Sequence, residues 1–333
     1  MNGRKVRGFM ICVLVFALVV SLFIAFATPI LRPRRLSHGA MWESFLAEEK
    51  DTLGALFLGS SLAYCDVIPA LIYEKSEIPS FVLASPVQPM PLSYFYLCEA
   101  LKTQSPSLVA IEVSQLYMDS IDVYTQVGID YMPFGKNKLR AIFSSEADNI
   151  RGELLFPMEV YHSRWDELSR DDFSRAGVDM LAGYTYLSDA TGKAAANREV
   201  LDASIEEEKA KIDRNYSYLD KIHSLCRERG IVLFCFLSPS ADALGEAETA
   251  EIARYLEKSG VPFVDYSHAD ASESLGLSES DWFDSSHLNV EGAKKLTTAL
   301  CDELENLLPD YRCPQSTSSL WEERIDYFYS YKE

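Results

Sequence analysis

Residues 53–69 read LGALFLGSSLAYCDVIP. The apolar run Leu53 to Leu58 has the length and unbroken hydrophobicity of a strand buried on both faces, and it stops at Gly59, followed by two serines and the start of a helical pattern. A strand that ends in a glycine turn presents the next side chain at the mouth of a sheet. In open α/β folds that mouth is where ligands bind, and a serine held there becomes a nucleophile if a histidine reaches it. Such a turn needs a sheet to carry it and a histidine to meet it.

Further short apolar runs follow: Phe81 to Ala84, Leu108 to Val113, Ile231 to Leu237 and Val261 to Val264. Stretches with helical spacing separate them, so the pattern predicts a doubly wound, mostly parallel, five-stranded α/β sheet. The clearest helices are Leu92–Lys102, Ile205–Arg229 closed by Gly230, and Glu246–Lys258 closed by Gly260. Between Val113 and Ile231 lies far more chain than one crossover needs. An insertion at about 117–200, rich in aromatic and charged residues, is expected to form helices and loops over the strand ends as a lid or substrate wall. In the tail, Trp321, Ile325, Phe328 and Tyr329 stand near helical spacing and predict a short helix packed back on the domain.

Composition narrows the class. The 333 residues are 48% hydrophobic and 12% aromatic, enough to bury a large core, and the net charge of −19 argues against nucleic acid, whose phosphates need clustered cations. Phe9 to Ala27 is interrupted by Ser21 alone, and as a helix it would be roughly 28 Å long, close to a bilayer's hydrocarbon thickness. Residues 1–35 thus read as a cytoplasmic stub and transmembrane anchor, and 36–333 as an extracytoplasmic domain. Arg4, Lys5 and Arg7 favour that topology, while Arg32, Arg34 and Arg35 weaken the bias. The alternative is a cleaved signal peptide, since Ala25-Phe26-Ala27 has the form of a cleavage site. The seven cysteines include no C-x-x-C pair. Six lie beyond the leader, which permits disulfides without demanding them; Cys226, Cys235 and Cys301 sit in apolar patterns and read as buried thiols.

Five histidines leave few candidates for a base. His38 lies in a connector, His223 on a helix, His162 in the insertion, and His268 in the loop after the last strand. His287 lies in DWFDSSHLNVEGAKKL, three residues after Asp284 and just before a helix with Asn289 as its N-cap. A nucleophilic serine needs a neighbour to take its proton and an acid to fix that neighbour's tautomer. One Asp-x-x-His loop can supply both.

The strand-GSS turn at one end of the domain and the D-x-x-H loop at the other resemble the SGNH (GDSL-like) hydrolase superfamily, whose fold is flavodoxin-like. The resemblance covers roughly 52–116 and 230–308. It implies Ser61 as nucleophile, His287 as base and Asp284 as its orienting acid, and Ser60 departs from the family's usual Asp. The branch it looks most like holds the membrane-anchored D-alanyl-lipoteichoic acid transfer and alginate-type O-acetylation proteins. That implies acyl-ester chemistry, transfer or hydrolysis, on cell-envelope or exported polysaccharide, with a membrane-bound O-acyltransferase as partner. The family completes its oxyanion hole with a Gly after the second strand and an Asn after the third. Here those stretches read Leu83-Ala84-Ser85-Pro86-Val87-Gln88 and Val113-Ser114-Gln115. Besides the Ser61 N–H, the candidate donors are therefore Ser85, Gln88, Ser114 and Gln115.

Other clusters read more blandly. Tyr161-His162-Ser163-Arg164-Trp165 fits a sugar subsite or, equally, a buried aromatic beside a surface Arg. Cys65 reads as a helix-face packing residue rather than a second nucleophile, and Asp171-Asp172 and Glu206–Glu208 as solvated surface. No phosphate loop, dinucleotide fingerprint or metal-ligand spacing is present, so no cofactor and no metal are expected. The rival from another class is a non-catalytic anchored binding partner of an O-acylation complex, which the missing Gly and Asn favour.

Overall fold

The computed structural model describes residues 3–35, 38–174, 177–189, 205–240, 244–313 and 317–331. The chain divides into two compact units, Met1–Arg34 with Asn149–Arg175, and Arg35–Asp148 with Ala176–Glu333. The insertion expected at about 117–200 is thus shared between them, and its stretch 190–200 lies outside the described residues.

The smaller unit is built on helix α1 (Gly3–Leu31). Within it, Val6–Leu31 has a mean hydropathy of 3.1 and is long and apolar enough to cross a membrane. The short helices Arg151–Leu155 and Met158–Tyr161 and the turns His162–Asp166 and Asp171–Phe173 complete the unit. Arg164 donates from Nη1 to the Leu31 carbonyl at 2.6 Å, filling one of the acceptors that the last turn of any helix leaves open.

The larger unit carries a five-stranded, wholly parallel sheet in the order β2-β1-β3-β4-β5. Its strands are β1 (Ala55–Leu58), β2 (Ser80–Val82), β3 (Leu108–Glu112), β4 (Val232–Leu237) and β5 (Phe263–Asp265). Each matches one of the apolar runs. Because side chains alternate along a strand, Ala55, Phe57, Leu108, Ala110, Phe234 and Phe236 share one face. They join one hydrophobic cluster with α2 (Ser61–Asp66), α3 (Pro69–Ser76) and, later in the chain, α7 (Val290–Leu307). The alternate set, including Leu56, Leu58, Val109, Ile111 and Cys235, is just as buried. That requires cover on the second face, where α4 (Met90–Ala100) and α5 (Ile205–Arg229) pack together and α5 meets β4. Two-sided burial explains why the strands read as continuous apolar runs.

Two of the three expected helices end at their glycines, while α4 starts and ends two residues before the expected Leu92–Lys102. α5 closes at Gly230 (φ 70°) and α6 (Glu246–Ser259) at Gly260 (φ 67°). Asn289 caps α7 by accepting from Glu291 N at 3.0 Å and Gly292 N at 3.2 Å, a bond set worth about 1 kcal/mol. The tail forms α8 (Ser318–Ser330), which packs on α3 through buried Trp321 and Phe328, whereas Tyr329 is exposed. All seven cysteines are free thiols, with Cys65, Cys226, Cys235 and Cys301 buried.

Candidate active site

Sheet order places the site. β1 continues to β2 on one side and the chain crosses to β3 on the other, so the crevice opens at the carboxyl ends of β1 and β3. β1 ends in Gly59, whose φ of 156° suits glycine, and an added Cβ there would stand 2.9 Å from the Cβ atoms of both Ala63 and Glu112. That close approach turns the chain sharply into α2. Ser60 is the buried N-cap and accepts from Leu62 N, while Ser61 is the first helical residue and partly exposed. Its own N–H has no intrahelical acceptor, as at any first helical position.

His287 comes from the other end of the domain. Trp282 and Leu288 form an antiparallel bridge, and the loop between them folds back on itself through Phe283 N donating to the His287 carbonyl at 3.0 Å. Asp284 Oδ1 accepts from the backbone of Ser286 and of His287, each at 2.8 Å. On the ring, Nδ1 lies 3.0 Å from both Asp284 oxygens and Nε2 lies 2.8 Å from Ser61 Oγ. A carboxylate only accepts, so the Nδ1 edge carries the proton and Nε2 faces the hydroxyl as an acceptor. Burial alone would raise the Asp284 carboxyl, but the His287 ring and the Ser286 amide outweigh it and hold the group below its ordinary value of 3.8.

His268 and His162 are held differently. His268 touches Asp265 Oδ2 and Thr249 Oγ1, each at 3.1 Å, but through the same nitrogen, Nε2, so no proton can pass from one side of the ring to the other. His162 uses Nδ1 on the Glu159 carbonyl, and His223 lies on α5. Cys65 is buried and burial pushes its thiol well above the ordinary value, which suits packing and not nucleophilic attack.

Of the four further donor candidates, only Ser114 lines the cleft that holds Ser61 and His287. Ser85, Gln88 and Gln115 are fully buried and spend their polar atoms on a chain of hydrogen bonds through Ser93. Ser85 Oγ donates to Gln88 at 2.9 Å, Gln88 Nε2 to Ser93 at 2.7 Å, and Ser93 to Gln115 at 2.7 Å. The structure therefore takes these three side chains out of the cleft. The reason is physical: a buried amide without partners costs more than the cleft would return, and α4 supplies Ser93 to satisfy them.

Val87 and Asp66, which no sequence motif marks, complete the surroundings. Val87 lines the cleft with φ 44°, a left-handed conformation that costs a β-branched residue energy and that nothing in its side chain announces. Asp66, at the end of α2, is wholly buried and accepts from Leu288 N at 3.2 Å, tying the helix that carries Ser61 to the loop that carries His287. Burial pushes its carboxyl well above the ordinary range against that bond. The cleft itself measures about 510 Å³, within the usual range for a small-molecule site. Leu62, Tyr117, Met118, Ile121 and Leu237 give it apolar walls, so the first residues of the insertion do line it.

Glu112, the last residue of β3, is also fully buried. It accepts from Ser114 Oγ at 2.6 Å and Ser114 N at 3.2 Å, yet burial outweighs these bonds and raises its carboxyl from 4.5 to about 7. A group that binds its proton more tightly when folded lends stability below its unfolded value and loses it as pH rises through its folded value. Between about 4.5 and 7, stability should thus fall by on the order of 3 kcal/mol from this residue. Glu112→Gln keeps one acceptor for the Ser114 amide and offers an N–H to its hydroxyl. Urea unfolding across that window should show the slope flattened and the variant more stable at the alkaline end; an unchanged slope would exonerate Glu112.

No known family profile matches the chain, and no curated protein matches it. Among solved structures, a Bacteroides fragilis chain provisionally assigned as an acylhydrolase aligns over 79% of this chain and 92% of its own, at 11% identity and a TM-score of 0.40.

Proposed function

We propose that this chain is a membrane-anchored serine enzyme of the SGNH type that carries out acyl-ester chemistry, O-acyltransfer or de-esterification, on cell-envelope or exported polysaccharide. The observation that carries the reading is the relay Ser61 Oγ to His287 Nε2 at 2.8 Å with both Asp284 oxygens 3.0 Å from Nδ1. Ser61 Oγ attacks the acyl carbon while Nε2 takes its proton. The alkoxide leaves with that proton, and an acyl-enzyme ester remains. A sugar hydroxyl or water then gives a proton back to Nε2, attacks the same carbon and frees Ser61. The Ser61 N–H faces the developing oxyanion as one donor. Asp284 keeps Nδ1 protonated throughout.

The apolar walls of the cleft suit an acyl group, and its described lining contains no Lys or Arg, which disfavours a phosphorylated donor. In this reading α1 holds the chain in the membrane with residues beyond Leu31 on the outer side, close to a membrane-bound O-acyltransferase that supplies the acyl group. Tethering raises the effective concentration at such a donor. A second reading, the anchored binding module, is favoured by the burial of Ser85, Gln88 and Gln115 away from the cleft.

A small acyl ester offered to the full-length protein, with and without oligosaccharide acceptors, separates these. Mass spectrometry should find the acyl group on the oligosaccharide. Free acid alone across a range of acceptors would make the protein an esterase, and no turnover with no covalent adduct on Ser61 would make it the binding module.

A further inference from the structure

The smaller unit carries a surface that the chemistry does not use. From Gly8 to Leu31 helix α1 carries no charged residue, and its apolar span Val6–Leu31 comprises 26 residues, whereas about 20 residues cross the hydrocarbon core. With Phe9–Ala27 in that core, the turn from Thr28 to Leu31 lies at headgroup level. The segment 149–175 is fastened to this same end. Arg164 reaches the Leu31 carbonyl, and Arg34 donates to Ser174 at both its carbonyl and its hydroxyl, the latter at 3.0 Å. Helix Met158–Tyr161 lies against α1.

The same segment carries three large apolar side chains that are more than half exposed. Trp165, adjacent to Arg164, is 54% exposed; Phe173, adjacent to Ser174, is 66% exposed; Phe156 is 61% exposed. In YHSRW the alternative of a buried aromatic beside a surface Arg is therefore reversed, since the Arg164 side chain is largely covered at 17% exposure and Trp165 is the exposed one. Left in water, these three side chains keep exposed apolar area that burial would remove from it. Aromatic rings at the end of a membrane-spanning helix are the composition of a membrane interface, where the ring enters the acyl boundary.

We propose that segment 149–175 is a membrane-contact element, with Phe156, Trp165 and Phe173 inserted at the headgroup level of the leaflet from which α1 emerges. The occupant of this surface is phospholipid. The proposal rests on α1 spanning the membrane, and the experiment keeps the two apart. Of the four tryptophans, Trp42, Trp282 and Trp321 are at most 4% exposed, so Trp165 dominates whatever a quencher reaches.

The full-length chain is reconstituted into vesicles of phosphatidylcholine and phosphatidylglycerol, washed with carbonate and floated. Chain that stays with the vesicles establishes the anchor, and chain that is washed off overturns anchor and proposal together. The emission difference between the chain and its Trp165→Phe variant is then followed. Lipids brominated near the carbonyl end of the acyl chain are expected to remove most of that difference, and aqueous iodide little of it. Trp165 quenched by iodide and untouched by bromolipid in a chain that floats would leave the anchor and overturn the contact. Shielding from both would mean that protein, and not lipid, covers it, which also overturns the proposal. Phe173→Trp in the Trp165→Phe background repeats the measurement at a second position, so a misfolded single variant does not spare the idea.

Discussion

Ser61→Ala is expected to lower acyl-ester turnover at least ~10⁴-fold with the unfolding midpoint unchanged. Ser61 stands at the first position of α2 with its hydroxyl on His287 Nε2, and it is partly exposed. Alanine is a good helix former there, so the fold loses little. Chemistry loses the atom that the acyl group would be bonded to. Ser60→Ala makes the matching control, because Ser60 is fully buried and caps the same helix: it should cost about 1 kcal/mol of stability while the site remains reactive. A fluorophosphonate should accordingly label the native chain and Ser60→Ala but not Ser61→Ala. Labelling that survives in Ser61→Ala, or that is lost equally in both, would mean that the nucleophile was misassigned.

What could be read from the sequence follows from where burial is two-sided. β1, β3 and β4 are covered on both faces, so they show as apolar runs, and helices that shed one polar face, such as α7 with Ala293, Leu296, Leu300 and Leu304 inside, show their period. Ser61, Asp284 and His287 were legible because each stands at a fixed distance from such a landmark, the end of β1 or the start of α7. The surroundings of the site were not. Ser85, Gln88 and Gln115 stand after β2 and β3 where donors to the cleft were sought, but side-chain direction in a loop depends on the partner found, and Ser93 on α4 captured them. Val87 offers no sign of its left-handed backbone, since valine is the residue type least suited to it. Glu112 did carry a signal: a carboxylate closing an otherwise apolar, doubly covered strand must find buried donors, and it finds Ser114. The aromatic-rich insertion gave only its composition. Its first residues line the cleft, while 149–175 clusters with α1, a division that no periodicity encodes.

Asp284→Asn is the sharper test of how the relay works, with an expected loss of about 10³- to 10⁴-fold in kcat. Asp284 Oδ1 holds the Ser286 and His287 amides at 2.8 Å, and an asparagine keeps that oxygen, so the loop between Trp282 and Leu288 should survive. What changes is the second position. An Nδ2 group in place of Oδ2 donates to the ring, which forces Nδ1 to accept and moves the proton to Nε2. His287 then points a donor at Ser61 Oγ and cannot take its proton. Alanine at the same position would strip the loop of two backbone bonds as well, and its effect would mix misfolding with chemistry. The carboxyl's own titration does not confuse the comparison. Because it is depressed below 3.8, whatever it lends the folded site is present above that value and lost only as pH falls further, so assays at neutral pH compare an ionised Asp with a neutral Asn. Nitrogen-15 spectra of the imidazole should find the proton on Nδ1 in the native chain and on Nε2 in the variant. Activity within about tenfold of native would show that His287 keeps its tautomer without Asp284; a large loss with the proton still on Nδ1 would show that the acid acts through charge instead of orientation.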